Sequence, residues 1–182
     1  MLGEILENVR SRSPLIQNIT NYVTANDCAN ITLACGASPT MSDGEEEAEE
    51  MGRLCDGLNI NMGTLHPRSV KAMLLAGKSA GSCGHPIVLD PVGAGASTYR
   101  RETAEQLLRE IPFTAIRGNV SEIKTIAGGK NRSRGVDADA SDAVNSGNLE
   151  EAIRFAAEFS KRSGAVIAVS GAIDIVTDGT RT

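Results

Sequence analysis

Asp90 stands directly after the apolar run Ile87-Val88-Leu89 and just before the glycine-rich turn Pro91-Val92-Gly93-Ala94-Gly95-Ala96. A carboxylate there, beside backbone N–H groups that glycine leaves accessible, suits a divalent cation bound to phosphate oxygens. It suits equally a plain βα turn in which Asp90 accepts a backbone N–H and the glycines supply the bend. A second apolar run, Thr114-Ala115-Ile116, leads into Arg117-Gly118-Asn119-Val120-Ser121-Glu122. The Arg117 guanidinium is a fork of donors matched to phosphate. Asn119 and Glu122, three residues apart, form either an ordinary capping box or part of the same site. Asp90, Arg117 and Glu122 at the ends of adjacent strands would together hold a magnesium–phosphate complex.

Four further segments offer groups to a ligand. Asn18-Ile19-Thr20-Asn21-Tyr22-Val23-Thr24 is too polar for a core strand and reads as a helix N-terminus with donors and acceptors for a small polar molecule. Ser38-Pro39-Thr40-Met41-Ser42-Asp43 carries Met41, either core filler or a flexible wall for a ring, with sulfur contacts at its edge. Asn61-Met62-Gly63-Thr64 and Ser170-Gly171 are strand-end turns, where a hydroxyl and open backbone can meet a phosphate. The acidic run through Glu45, Glu46, Glu47, Glu49 and Glu50 reads as a solvated helix face. His66 and His85 precede prolines and take no catalytic role. Cys28, Cys35, Cys55 and Cys83 contain no C-x-x-C pair and read as buried free thiols rather than zinc ligands or disulfides.

The elements that must position these residues follow from hydrophobic period. Leu2, Ile5, Leu6 and Val9 recur at helical spacing up to Pro14; Leu15 and Ile16 lead into a second helix, Val23 to Cys35, closed by Gly36; Asp43 to Arg53 is a third. Strand and helix then alternate: Gly57–Asn61 with Pro67–Ser82, Ile87–Asp90 with Arg101–Glu110, Thr114–Arg117 with Asn119–Ala127, and a helix Leu149–Ser163 before a strand Ala165–Val169. The apolar runs are continuous rather than alternating, as in strands of a parallel sheet buried on both faces. The polar segment 128–147 reads as a mobile surface insertion. One α/β domain is expected, with ligands beyond the carboxyl ends of its strands.

Composition narrows the function. The chain has 182 residues, 18 Lys and Arg against 23 Asp and Glu, and 3% aromatic residues. A net charge of -5 without a basic run gives no counterion-release drive toward nucleic acid, and there are few rings to stack on bases. No apolar stretch is long enough to span a bilayer and no signal peptide opens the sequence, so a soluble cytoplasmic protein is expected. Gly93-Ala94-Gly95-Ala96 is not a G-x-G-x-x-G turn, which argues against a dinucleotide-binding oxidoreductase.

Gln17 to Thr24, Gly36 to Met41, Leu58 to Leu65, Asp90 to Ala96 and Ile116 to Asn119, in that order and spacing, resemble the hydroxyethylthiazole kinase family over nearly the whole chain. The resemblance implies a ribokinase-like three-layer α/β/α fold with a mostly parallel sheet. It implies transfer of the ATP γ-phosphate to the hydroxyl of 4-methyl-5-(2-hydroxyethyl)thiazole in thiamine biosynthesis or salvage, with Mg2+, in a homotrimer that binds thiazole at a subunit interface. Residue by residue it implies Met41, Asn21, Val23, Thr24 and Gly63 for the thiazole, Arg117, Asn119 and Ser170 for ATP, and Asp90 and Glu122 for the metal.

Members of this family continue past the hairpin matching Ser170 to Asp178, into a Gly-Ala-Gly-Cys turn that forms the anion hole and carries the catalytic cysteine. None of the four cysteines here is that residue, so the resemblance implies no catalytic residue in this chain and a domain incomplete at its C-terminus. Without those donors a loss of roughly a hundredfold or more in phosphoryl transfer is expected, and the apolar segment Ala172 to Val176 becomes an exposed edge strand. The alternative expectation is a non-catalytic thiazole-binding or oligomer-forming remnant.

Overall fold

The computed structural model describes residues 2–128 and 144–182. The chain divides into two compact units, Met1–Ile87 and Val88–Thr182. Of the segment 128–147 expected to be a mobile insertion, residues 129–143 lie outside the described residues.

The first unit runs α1 (Leu2–Arg12), β1 (Leu15–Ile19), α2 (Ala25–Cys35), β2 (Ser38–Thr40), α3 (Ala48–Leu54), β3 (Gly57–Asn61) and α4 (Pro67–Ser82). β1 is flanked by β2 and β3, both parallel to it, with Gln17 opposite Thr40 on one side and Leu58 on the other. α2 ends as expected at Gly36, which at φ 94° takes the left-handed conformation that closes a helix and donates to Leu33 O. α4 starts sharply because Pro67 fits the first turn and the His66 ring accepts from Ser69 N. Ala72, Ala76 and Ala80 with the larger Met73 give it a buried apolar face, and α3 packs against this helix. That packing is close: a Cβ on Gly52 of α3 would lie 2.7 Å from the carbonyl oxygen of Ala76.

Three expectations fail in this unit. Leu15–Ile19 is a strand, not the approach to a helix, and Ser38–Thr40 is another. The polar pair Gln17-Asn18 hides β1, but both amides are bonded inside the unit: Gln17 Nε2 donates to Ser42 O at 3.1 Å, and Asn18 Oδ1 accepts from Asn59 Nδ2 at 3.1 Å. α3 begins at Ala48 rather than Asp43, because Gly44 starts a turn that Ala48 N closes and the Ser42 hydroxyl donates to Glu47 Oε1 instead of capping a helix. Of the four cysteines only Cys55 is buried. Cys28 and Cys35 are half-buried on α2, and Cys83 is exposed where α4 ends. Burial, aided by the Asp56 charge, pushes the Cys55 thiol up.

The second unit holds β4 (Ile87–Asp90, whose first residue closes the first unit), α5 (Thr98–Glu110), β5 (Ala115–Asn119), α6 (Val120–Ile126), α7 (Leu149–Ser163), β6 (Val166–Ser170) and β7 (Ile175–Thr177). β4, β5 and β6 are parallel, and β7 runs antiparallel along β6 with Val169 opposite Ile175. The core is aliphatic, with Leu89, Leu107, Ile116, Ile123 and Ile167 fully buried. β5 extends two residues beyond its expected end, because Gly118 and Asn119 continue its pairing to Val169 and Ser170 of β6. α5 begins three residues early, where Ser97 accepts from Arg100 N and caps it. The expected edge segment Ala172 to Val176 is a turn followed by a shorter strand; Gly171 N donates to Asp174 Oδ1 at 2.9 Å and β7 starts at Ile175. Among the described residues no helix is long and apolar enough to cross a membrane.

Candidate active site

In the second unit, register alone brings the sequence-flagged residues together. Leu89 lies opposite Ile116, so the next residues, Asp90 at the end of β4 and Arg117 within β5, meet, and Arg117 Nη1 donates to Asp90 Oδ2 at 3.2 Å. One strand further, Asn119 lies opposite Ser170, whose hydroxyl donates to Gly118 O at 3.3 Å. The Arg117 side chain is 58% exposed while that of Asp90 is 17% exposed, so the guanidinium holds a half-hidden carboxylate and keeps donors facing solvent.

Glu122 ties this row together from beneath. It is 5% exposed, and both its oxygens accept backbone N–H groups, Oε1 from Gly93 and Oε2 from Asn119, each at 2.8 Å. The Asn119 side chain in turn accepts from Glu122 N, completing a capping box on α6. The capping box of the first reading therefore exists, and its carboxylate also reaches the turn after β4. Burial pushes the Glu122 carboxyl up and the nearby Asp90 charge adds to this; the Gly93 and Asn119 N–H groups and the Arg117 charge pull the other way without cancelling it.

The turn after β4 is more closed than its sequence suggests. Ala94 N goes to Pro91 O and Ala96 N to Gly93 O within the turn, and Gly93 N goes to Glu122 of α6, so all three N–H groups are engaged. Arg100 Nη1 clamps it further by donating to Val92 O at 2.9 Å. A carboxylate from 29 residues further on, Glu122, accepts from this turn.

Sequence reasoning did not find the cavity of about 260 Å³ beside this row, lined by Val120 and Ile123 of α6, Phe155 of α7, Val169 of β6 and Ile175 of β7 among others. Its signal is spread thinly: Val120 just after Asn119, Val169 just before Ser170, and the rest scattered over α6, the approach to α7, α7 itself and β7. Among the described residues no three His, Cys, Asp or Glu side chains gather into a metal cage. Magnesium needs no cage: it keeps several waters and binds through one or two carboxylates plus phosphate oxygens, a demand that Asp90 with Glu122 behind it fits.

The first unit gathers a second group. Asn21, 8% exposed, accepts through Oδ1 from Val23 N and Thr24 N, both at 3.0 Å, and donates from Nδ2 to Asn61 Oδ1 at 2.8 Å. Asn61 Oδ1 also accepts from Gly63 N at 2.8 Å, and the Thr64 hydroxyl accepts from Tyr22 N. Asn21, Val23, Thr24 and Gly63 are thus one hydrogen-bonded cluster, with Val23 itself 87% exposed. Met41 stands apart from these bonds, 38% exposed just after β2. Asn18 is not at the mouth of this cluster but 3% exposed and bonded to Asn59. Asn61 was missed as an organiser because an Asn two residues before a Gly reads as any turn.

Parallel strands that carry Asp, Arg, Asn and Ser toward their carboxyl ends define the class as α/β, in which ligands are generally received beyond the strand ends. Comparison with known proteins narrows the class. Residues 6–182 match the Hydroxyethylthiazole kinase family, and the chain belongs to that family. It is 58% identical to the hydroxyethylthiazole kinase of Clostridium acetobutylicum over 98% of this chain and 65% of that protein. It is 51% identical to that of Desulfovibrio desulfuricans over 97% of this chain and 62% of that one. The solved structure of a hydroxyethylthiazole kinase protein from Pyrococcus horikoshii OT3 is 40% identical and superposes with a TM-score of 0.83 over 97% of this chain and 63% of that chain. The chain thus spans slightly under two thirds of the length of these relatives.

Proposed function

We propose that this chain carries thiazole- and nucleotide-binding residues of an ATP-dependent kinase that phosphorylates the hydroxyl of 4-methyl-5-(2-hydroxyethyl)thiazole, in the thiamine pathway of the cytoplasm. The observation that carries this reading is the pairing of Asp90 with Arg117 and of Asn119 with Ser170 at neighbouring strand ends, in a chain of this family. Arg117, Asn119 and Ser170 bind ATP, the first by a forked contact to phosphate and the others by single polar groups. Asp90 would hold Mg2+, and Glu122, its oxygens already engaged by the Gly93 and Asn119 N–H groups, would organise the site from behind. Bound there, the metal supplies positive charge to the phosphate oxygens, which phosphoryl transfer needs more than covalent help. Met41, Asn21, Val23, Thr24 and Gly63 bind the thiazole.

A homotrimer with thiazole at a subunit interface accords with two helices, α1 and α2, that have no buried residue yet present Leu2, Ile5, Ile31 and Leu33 to solvent. The relatives are named as kinases, which favours a kinase over a binding-only remnant. Calorimetry with the thiazole alcohol and with MgATP, followed by an ADP-release assay, tests the reading. Binding of both ligands with thiazole-dependent ADP release is expected. Thiazole binding without MgATP binding would favour the binding-only alternative, and binding of neither would sink both.

A further inference from the structure

The cluster in the first unit has a polarity that singles out a residue with no assigned role. Backbone N–H groups can only donate, and this orients both amides. Asn61 must turn its oxygen toward Gly63 N, and Asn21 must turn its oxygen toward Val23 N and Thr24 N. The Asn21 nitrogen is then left facing the Asn61 oxygen, 2.8 Å away. Asn61 Oδ1 thus accepts from both sides and ties the turn after β1 to the turn after β3, beside the contacts of Tyr22 N with the Thr64 hydroxyl and of Tyr22 Oη with the His66 ring. The tie is tight, because a Cβ on Gly63 would stand 2.5 Å from the Asn21 Cβ. Val23 and Tyr22 are 87% and 70% exposed, so no packing of their side chains fixes this turn, and the hydrogen bonds must.

We propose that Asn61 is a positioning residue: through the Asn21 side chain it sets where the backbone of Val23 and Thr24 stands, and so shapes the surface that meets the substrate. The ligand half of this statement rests on the thiazole reading above; the positioning half does not. The two asparagines have unequal requirements. Asn21 needs an acceptor at one end and a donor at the other, which only an amide supplies. Asn61 uses only its acceptor in these bonds, so a carboxylate can replace it, with a charge-assisted bond from the Asn21 nitrogen.

Two measurements on the full chain test this, amide hydrogen exchange at Val23, Thr24 and Gly63 and calorimetric binding of the thiazole alcohol, on Asn61→Ala, Asn61→Asp and Asn21→Asp. Exchange at the three amides is expected to stay near the parent's in Asn61→Asp and to quicken about tenfold or more in Asn61→Ala; in Asn21→Asp, whose carboxylate still accepts from Val23 N and Thr24 N but repels the Asn61 oxygen, the quickening is expected at Gly63. Thiazole affinity is expected to follow the same order. If Asn21→Asp does not fold, the two Asn61 variants still decide the matter. Equal exchange in Asn61→Ala and the parent, or no rescue by Asn61→Asp, would overturn the proposal. If no variant, the parent included, binds the thiazole alcohol, the substrate reading fails and the exchange pattern alone decides whether Asn61 positions the turn.

Discussion

Glu122 shows how one side chain can be required for shape and still be costly in charge. Two backbone N–H groups favour its ionised form, yet burial disfavours that form more, and the carboxyl titrates above its ordinary value of about 4.3. Over the interval between that value and the raised one, the folded chain binds more protons than the unfolded chain. Stability therefore declines as pH rises through the interval, is fully present below it and is level above it. A Glu122→Gln variant removes this titration. It also turns an amide nitrogen toward one of the two N–H donors, which costs about 1–3 kcal/mol for the unsatisfied buried group. The expected result is that the parent's advantage in urea midpoint over the variant narrows as pH rises through that interval, measured in chelator so that no metal contributes. Identical slopes in both proteins would mean that Glu122 does not titrate above its ordinary range.

Register is what turns a list of residues into a site, and at the scale of elements the strands do this work while helices lock them. In the first unit the locking contact is the backbone approach of α3 to α4 at Gly52, where an added methyl would meet the Ala76 carbonyl rather than a flexible side chain. Gly52→Ala is expected to force the helices apart and lower stability by about 1–3 kcal/mol, seen as an earlier denaturation midpoint, although alanine favours helix locally. An unchanged or raised midpoint would show that α3 slides without cost. The elements differ in how legible they were. β3, β4 and β6 were found because Leu58 with Ile60, Ile87 to Leu89 and Ala165 to Val169 are apolar positions between turns. β1 and β2 were not, since Gln17 and Asn18 look like loop residues until their buried bonds to Ser42 and Asn59 are seen. The same limit applies to the site. Asp90, Arg117 and Asn119 announced themselves by following apolar runs. The link from Glu122 to Gly93 spans 29 residues, and that from Asn21 to Asn61 spans 40; no local pattern encodes either.

At the scale of the whole molecule, the composition that excluded nucleic acid also leaves a question about surface. With 3% aromatic residues the chain builds its cores from Ile, Leu, Val, Ala and Met, yet α1 and α2 contribute no buried residue to them. Leu2 and Ile5 sit one helical turn apart on α1 and are 84% and 58% exposed; Ile31 on α2 is 63% exposed. Fully burying an aliphatic side chain of this size stabilises by about 1.5–3 kcal/mol, and rotational symmetry in a trimer repeats each contact three times. If these helices form the subunit interface of the proposed homotrimer, Ile31→Lys places a charge in each copy of it at once. Sedimentation velocity on the parent is then expected to give a trimer, and on the variant a shift toward monomer. The variant's far-UV circular dichroism is expected to match the parent's, because Ile31 supports no core within its own chain. A parent that sediments as a monomer would remove the trimer from the reading of this chain, and a variant that stays trimeric would move the interface away from α2.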